Sequence, residues 1–300
     1  MRADVTLAKR GGLASLLIIA ALLSLAGCAS KNVWSGYWWP TAPGTSPNLF
    51  DNAPTDPFIP CKKYDAYVVS LGKPDPGFCA WEKAKHYTPA CGWCGHCHAW
   101  SAASILEIEP VKPVTKNGIT FNVGELKGLL TELYYAIPSD YFLGTRCDST
   151  SDTAAYDDPS PAQLHKFLTW WGGNKWDGKA EKWDTLVFDT NPGPEVWNYV
   201  ALWWYVRTDP DPSDPTKYNA QLLVLLVSDG VAPDYVGRQP FQKTYTYWIK
   251  GTPSNPTTGG WTGASVSDHP DFVWHPAYQQ AAAGCPLDYQ TVTSLLPAQP

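Results

Sequence analysis

Methionine is nearly absent from this 300-residue chain, whose single Met is Met1. A c-type haem held by a methionine axial ligand is therefore excluded, and a haem would need a histidine or another group in that place. Histidine is also sparse, with six residues (His86, His96, His98, His165, His269 and His275) and none between 166 and 268. Any imidazole that acts as a catalytic base must come from that short set. Basic residues are outnumbered. Without the charged residues of the first 27 positions (Arg2, Asp4, Lys9 and Arg10), the chain has 19 basic and 27 acidic residues, a net of −8. That balance excludes nucleic acid as a natural partner. There is no internal repeat, and no loop has the EF-hand calcium pattern.

The chain opens with Arg2, Lys9 and Arg10, then an apolar run from Leu13 to Ala26, then Leu25-Ala26-Gly27-Cys28. A charged start, a short apolar stretch and small residues before a cut mark a signal peptide, not a spanning helix. The Cys28 position resembles the lipobox of bacterial lipoproteins. It predicts lipidation at Cys28 and a membrane partner reached through that anchor. Ala29 stands where an inner-membrane retention aspartate would be, which points to the bacterial outer membrane. The expected organisation is a signal peptide over 1–27, a Trp/Pro/Gly-rich tether over 28–57 with Trp38 and Trp39 packed on the body, and one domain over 58–300, a size that suits a single large fold.

Apart from Cys28, seven cysteines remain: Cys61, Cys79, Cys91, Cys94, Cys97, Cys147 and Cys285. An odd number in an oxidising compartment leaves at least one thiol free. The densest stretch is Cys91-Gly-Trp-Cys-Gly-His-Cys-His98, followed by an apolar run that stops at Pro110. It admits a Cys94-x-x-Cys97 dithiol, a Cys94-x-x-Cys97-His98 haem attachment, a zinc site from Cys91, Cys94, Cys97 and His98, a purely structural disulfide set, or a nucleophile at a helix start. Four ligands this close at a helix start leave little room for tetrahedral zinc. The tetrapeptide resembles the redox centre of protein disulfide isomerases, but such a centre follows a buried apolar strand, and Glu82–Ala90 is too polar to be one.

A helix over about Cys97–Ile108 presents Ala99, Ala102, Ile105 and Leu106 on one face, and a thiol in its first turn would favour thiolate. Asn117-Gly118 predicts a hairpin turn. Asn122 and Glu125 predict a capping box for a helix to about Tyr135. Ser160, Pro161 and Gln163 open a helix that carries His165 and ends at Gly172-Gly173. Tyr67-Val68-Val69 reads as a short strand. Strands follow over Thr185–Asp189, Glu195–Val206, Ala220–Ser228 and Lys243–Lys250, with Thr252–Gly260 read as a loop. Helices first and strands second predict an α+β fold with helices packed on a C-terminal antiparallel sheet.

The residues Gly92, Cys94, Gly95, Cys97, Ala99, Trp100 and Ser101 resemble the nucleophile segment of papain-like cysteine enzymes. Over roughly 90–275, the segments His98–Pro110, Gly144-Thr-Arg-Cys147, Glu195-Val-Trp-Asn198 and His269–Trp274 resemble the transglutaminase elicitor family. Val196-Trp197-Asn198 is similar to the start of that family's elicitor peptide, although Tyr199-Val200-Ala201 departs from its continuation. The resemblance implies a papain-like core and Cys97 as nucleophile. It also implies a Cys94–Cys147 disulfide, and acyl transfer from a protein glutamine to an amine through a Cys97 thioester. Calcium is implied as a possible cofactor by the family alone, and no metal ligand set is expected from the residues. Two departures stand out. The glutamine that helps bind the oxyanion falls at Cys91, and the aspartate expected after Tyr247–Gly251 is missing.

Two histidines are candidates for the base. His269 follows in papain-like order, with Asp268 or Asp271 as orienter. His165 suits a shorter spacing, with Asp184 or Asp189 as orienter. A scaffold without a productive base, serving as a cell-surface binding module, is the alternative, and a dithiol oxidoreductase is the third reading.

Overall fold

The computed structural model describes residues 33–42, 44, 47–50, 56, 58–146, 158–171, 185–191, 193–277 and 284–296. The expectations placed on the signal peptide, Cys28, Cys147, Asp184 and Gly172-Gly173 lie outside the described residues.

The first half is helical: α1 (Pro60–Ser70), α2 (Phe78–His86), α3 (Cys97–Leu106), a small hairpin β1 (Val114–Lys116) and β2 (Ile119–Phe121), and α4 (Val123–Leu133). The second half holds β3 (Ser139–Gly144), α5 (Pro161–Trp171), β4 (Val187–Asp189), β5 (Asn198–Asp211), β6 (Asp214–Val227), β7 (Pro240–Thr252), β8 (Asn255–Trp261), β9 (Phe272–Pro276) and α6 (Tyr289–Ser294). Strands β3-β9-β4-β5-β6-β7-β8 form one sheet, antiparallel at every pairing. This is the expected α+β arrangement.

Side chains alternate across a strand, and both faces of this sheet are covered. On one face Val200, Leu202, Phe272 and Trp274 join the core formed with Trp100, Ile105, Leu126, Leu129 and Leu130 of α3 and α4. On the other, Ala201, Leu222, Val224 and Val273 meet Leu164 and Leu168 of α5.

Several local readings hold. Asn117 and Gly118 take positive φ values of 48° and 79° and turn β1 into β2. The capping box at Asn122 and Glu125 is present. Ser160 and Gln163 bond each other reciprocally at the start of α5.

Two readings are corrected. Tyr67-Val68-Val69 lies in α1, not in a strand. Pro60 occupies the first turn, and Cys61, Tyr64, Tyr67 and Val68 bury one helical face, so packing overrides β propensity. Residues 252–260 contain most of β8, an edge strand that tolerates Pro256. There Gly259 lets α5 approach, since a Cβ would lie 3.1 Å from the Ala162 nitrogen. Within the stretch read as a tether, the described residues 33–42 pack on the body as expected of Trp39, and Trp34 is fully buried as well. The Trp34 main chain exchanges two hydrogen bonds with Ser104 Oγ, and its indole donates to the Glu107 carbonyl.

Candidate active site

Cys97 is the first residue of α3, is buried, and is a free thiol. Two features fix the start of that helix. Residues 38–41 cross it as a strap, with the His96 amide donating to the Trp38 carbonyl (2.6 Å) and the Thr41 amide donating to the Cys94 carbonyl (2.9 Å). Gly95 allows the close approach, since a Cβ there would stand 2.5 Å from the Trp38 ring. The helix also docks on β5 through Ser101, whose hydroxyl lies 2.9 Å from the Cys97 carbonyl and 3.1 Å from the Asn198 carbonyl.

The Cys97 thiol points at the start of β5. Sγ lies 3.5 Å from the Val196 carbonyl, to which the thiol donates, and the Asn198 side-chain amide donates to Sγ at 3.7 Å. Trp274 of β9 orients that amide, its indole donating to Asn198 Oδ1 at 2.7 Å. Asn198 was missed as a site residue. The visible signal was its place in Val196-Trp197-Asn198, at the start of the longest aromatic strand.

Burial pushes the Cys97 thiol up to about 12; the Asp229 charge adds to this, the Asn198 amides oppose it, and Asp189 adds a little more. The thiolate expected at a helix start is outweighed here by desolvation and acidic neighbours. Asp229 is itself held up at about 7 by burial, and so is Asp189 despite the amides of Trp197 and Asn191 that bond it. Asp189 Oδ1 accepts from the Trp197 and Asn191 amides at 2.9 and 3.2 Å. Its place is to shape the loop that delivers Asn198.

The candidate histidines stand elsewhere. His165 Nδ1 lies 2.9 Å from the Tyr247 hydroxyl and Nε2 lies 2.9 Å from the Pro253 carbonyl. His269 stacks on Trp261, and its nitrogens lie 3.0 Å from the Ser265 carbonyl and 3.1 Å from Asp158. Both rings are fully engaged away from Cys97, because α5 and the turn after β8 pack elsewhere on the sheet. Asp271, expected as an orienter, is buried with its carbonyl against Gly144. His98, next to Cys97, turns to the Tyr135 carbonyl (2.9 Å), and burial holds its pKa down at about 4.

The disulfide expectation is corrected as well. Cys94 is bonded to Cys91, three residues away with a Cα separation of 5.4 Å, so it is not available to Cys147. A second bridge joins Cys61 and Cys79, linking α1 to α2. The Cys91–Cys94 bridge also removes the four-residue zinc set and leaves Cys97 without its dithiol partner. Among the described residues, one converging set of metal-type ligands exists: Glu82, His86, His96 and Glu132. Its two imidazoles do not suit calcium, which takes oxygen ligands.

Residues 70–210 match the model of the transglutaminase elicitor family. That span runs from the end of α1 into β5 and includes Cys97, Asp189 and Asn198. Among solved structures, the chain is similar to the crystal structure of the GP42 transglutaminase from Phytophthora sojae, with a TM-score of 0.60 and 19% identity. The match covers 92% of this chain and 96% of that one, which shows a shared fold. No curated protein matches. The resemblance read from the sequence is thus borne out: residues 70–210 match the transglutaminase elicitor model, and the fold is similar to that of the transglutaminase.

Proposed function

We propose that this chain is an exported, lipid-anchored cysteine acyltransferase of the protein-glutamine γ-glutamyltransferase type, with Cys97 as nucleophile. The observation that carries the reading is the free Cys97 thiol at the start of α3, faced by an Asn198 amide that Trp274 holds in place. In this reading the thiol gives its proton to Asp229, the acid whose charge acts on it most strongly. A carboxyl poised at about 7 can accept a proton near neutral pH. Sulfur attacks the glutamine carboxamide carbon, ammonia leaves with a returned proton, and an amine then displaces sulfur from the thioester. In the same reading the Asn198 amide, which donates to Sγ, turns to the developing oxyanion in place of the glutamine replaced by Cys91. An open cleft of about 450 Å³ beside β5, bordered by Trp197, Tyr199, Phe241 and Lys243, offers room for the glutamine or amine partner.

The test is incorporation of a labelled primary amine into a glutamine-bearing protein, with and without calcium. Wild type is expected to incorporate and Cys97→Ala to lose incorporation entirely. Absence of transfer by the wild type under both conditions would sink the reading. The second reading, a binding module that kept the scaffold, is favoured by the high Cys97 pKa and by the engagement of His165 and His269 away from it. It expects a Cys97 that iodoacetamide does not label in the native chain.

A further inference from the structure

Behind the nucleophile, four side chains from three helices converge on one point. Glu82 and His86 lie four residues apart on one face of α2. Glu132 comes from the last turn of α4, and His96 caps α3 directly before Cys97. Glu82, His96 and Glu132 are 0% exposed and His86 is 7% exposed. One ligand-type atom from each lies within 4.8 Å of all the others.

The arrangement is short of positive charge and of hydrogen bonds. His96 Nδ1 lies 2.8 Å from the Trp39 carbonyl, which can only accept, so that nitrogen carries the ring proton. Nε2 then faces Glu82 Oε1 at 3.1 Å and Glu132 Oε2 at 3.2 Å. His86 Nε2 lies 3.5 Å from Glu132 Oε1 and 3.8 Å from Glu82 Oε2. Both Glu82 oxygens, Glu132 Oε2 and the Nε2 atoms of His86 and His96 make no directed hydrogen bond among the described residues. Buried polar atoms left so are costly, and two carboxylates in one dry pocket cost more.

We infer that Glu82, His86, His96 and Glu132 form a structural site for zinc or a similar late first-row divalent cation. Two carboxylates, two neutral imidazoles and a dication sum to zero charge. A tetrahedral ion with ligands at about 2.0–2.1 Å sets them roughly 3.3 Å apart. The imidazole–carboxylate distances run from 3.1 to 3.8 Å and the set as a whole lies within 4.8 Å, so binding draws the four side chains inward. Two nitrogen and two oxygen donors suit zinc and exclude calcium and magnesium as the preferred ion. The Trp39 carbonyl on Nδ1 is the outer contact that metal-bound histidines usually have. Four protein ligands leave no open position, so the ion's work is to tie α2 and α4 to the first turn of α3. That holds His96, and with it Cys97, against β5. The inference stands whether or not Cys97 reacts.

The full chain, purified without chelators or metal-affinity resin, is expected to hold about one zinc equivalent by plasma mass spectrometry. Glu82→Gln/His86→Gln is expected to hold none. After metal stripping, zinc chloride alone is expected to raise the Tm of wild type and leave the double variant unmoved. Because that variant can fail to fold, cobalt(II) added to stripped wild type supplies an independent reading. It is expected to give the visible bands of a four-coordinate ion, which zinc then displaces. A stripped wild type with no Tm response to zinc and no four-coordinate cobalt spectrum overturns the inference, and shows instead that protons pair the four groups. Undiminished zinc in a folded double variant overturns it equally.

Discussion

At the scale of single residues, Asp229 is the group on which the proposed chemistry turns, because its two effects on Cys97 have opposite signs. As a negative charge in a desolvated place, it disfavours the thiolate. As a carboxyl held up at about 7, it is the base that the proposed reaction assigns to the thiol proton. Asp229→Asn separates the two. Removing the charge lowers the Cys97 pKa, so the pH profile of iodoacetamide labelling is expected to move to lower pH. Amine incorporation by the same variant is expected to fall on the order of 10²-fold or more, as when a general base is lost. Labelling and transfer that rise together would mean Asp229 only hinders Cys97. The stability of the variant follows from the same burial. The folded carboxyl titrates at about 7, above an unfolded value near 4. Its contribution is therefore full below about pH 4 and is lost as pH rises through about 7. Wild type is expected to lose Tm relative to the Asn variant over that window.

At the scale of elements, legibility depended on whether a signal was local. The hairpin at Asn117-Gly118 and the caps at Asn122 and Ser160 are set by residues three or fewer positions apart, and each was readable. Helix α2 was not, because what it buries is Phe78, Glu82 and His86, a stripe two-thirds polar whose partners are Tyr64 of α1, His96 at the cap of α3 and Glu132 of α4. Its start is capped from α1, where the Asp65 carboxylate accepts from the Phe78 and Cys79 amides. Nothing within α2 announces either fact. The catalytic neighbourhood divides the same way. Cys97 was named from its own segment, whereas Asn198 reaches it across 101 residues of sequence from the start of β5, and the charge of Asp229 is felt there from 132 residues away. Glu125 shows how much one such long-range group carries. Its carboxylate is fully buried, accepts from the amides of Ile59 and Asn122, and pairs with Lys63 at 2.6 Å. Glu125→Ala strips the caps of two helices and leaves Lys63 unpaired, with an expected loss of about 3 kcal/mol. Lys63 is 20% exposed and can turn to water, so Lys63→Ala is expected to cost about 1 kcal/mol or less. Urea titrations of the two variants check the contrast, and equal losses would place the energy in the ion pair instead.

At the scale of the whole molecule, the strap over residues 33–42 decides where the folding unit begins. Composition made this stretch look like linker, because Trp, Pro and Gly carry no period. Its tryptophans are core residues all the same: Trp34 packs in the helical core and accepts Lys127 over its ring at 4.7 Å, and Trp39 closes on Gly128. Gly36 must stay small, since a Cβ there would fall 2.0 Å from the Trp100 indole. The strap also supplies the Trp38 carbonyl that receives the His96 amide, so the nucleophile's helix starts against it. Removing a buried tryptophan costs about 3–5 kcal/mol, and a whole domain is stable by only about 5–15 kcal/mol. A chain that begins at residue 43 loses two such residues together with the hydrogen bonds at Ser104, and is expected to show no cooperative melting transition. A chain that begins at residue 33 keeps every one of these contacts and is expected to melt cooperatively; under the proposed lipid anchor at Cys28, it is also expected not to partition with membranes. Calorimetry on the two truncations, with membrane fractionation of the longer one, tests the tether and the core as separate properties. Cooperative melting of the shorter chain would return the strap to the linker that its composition suggested.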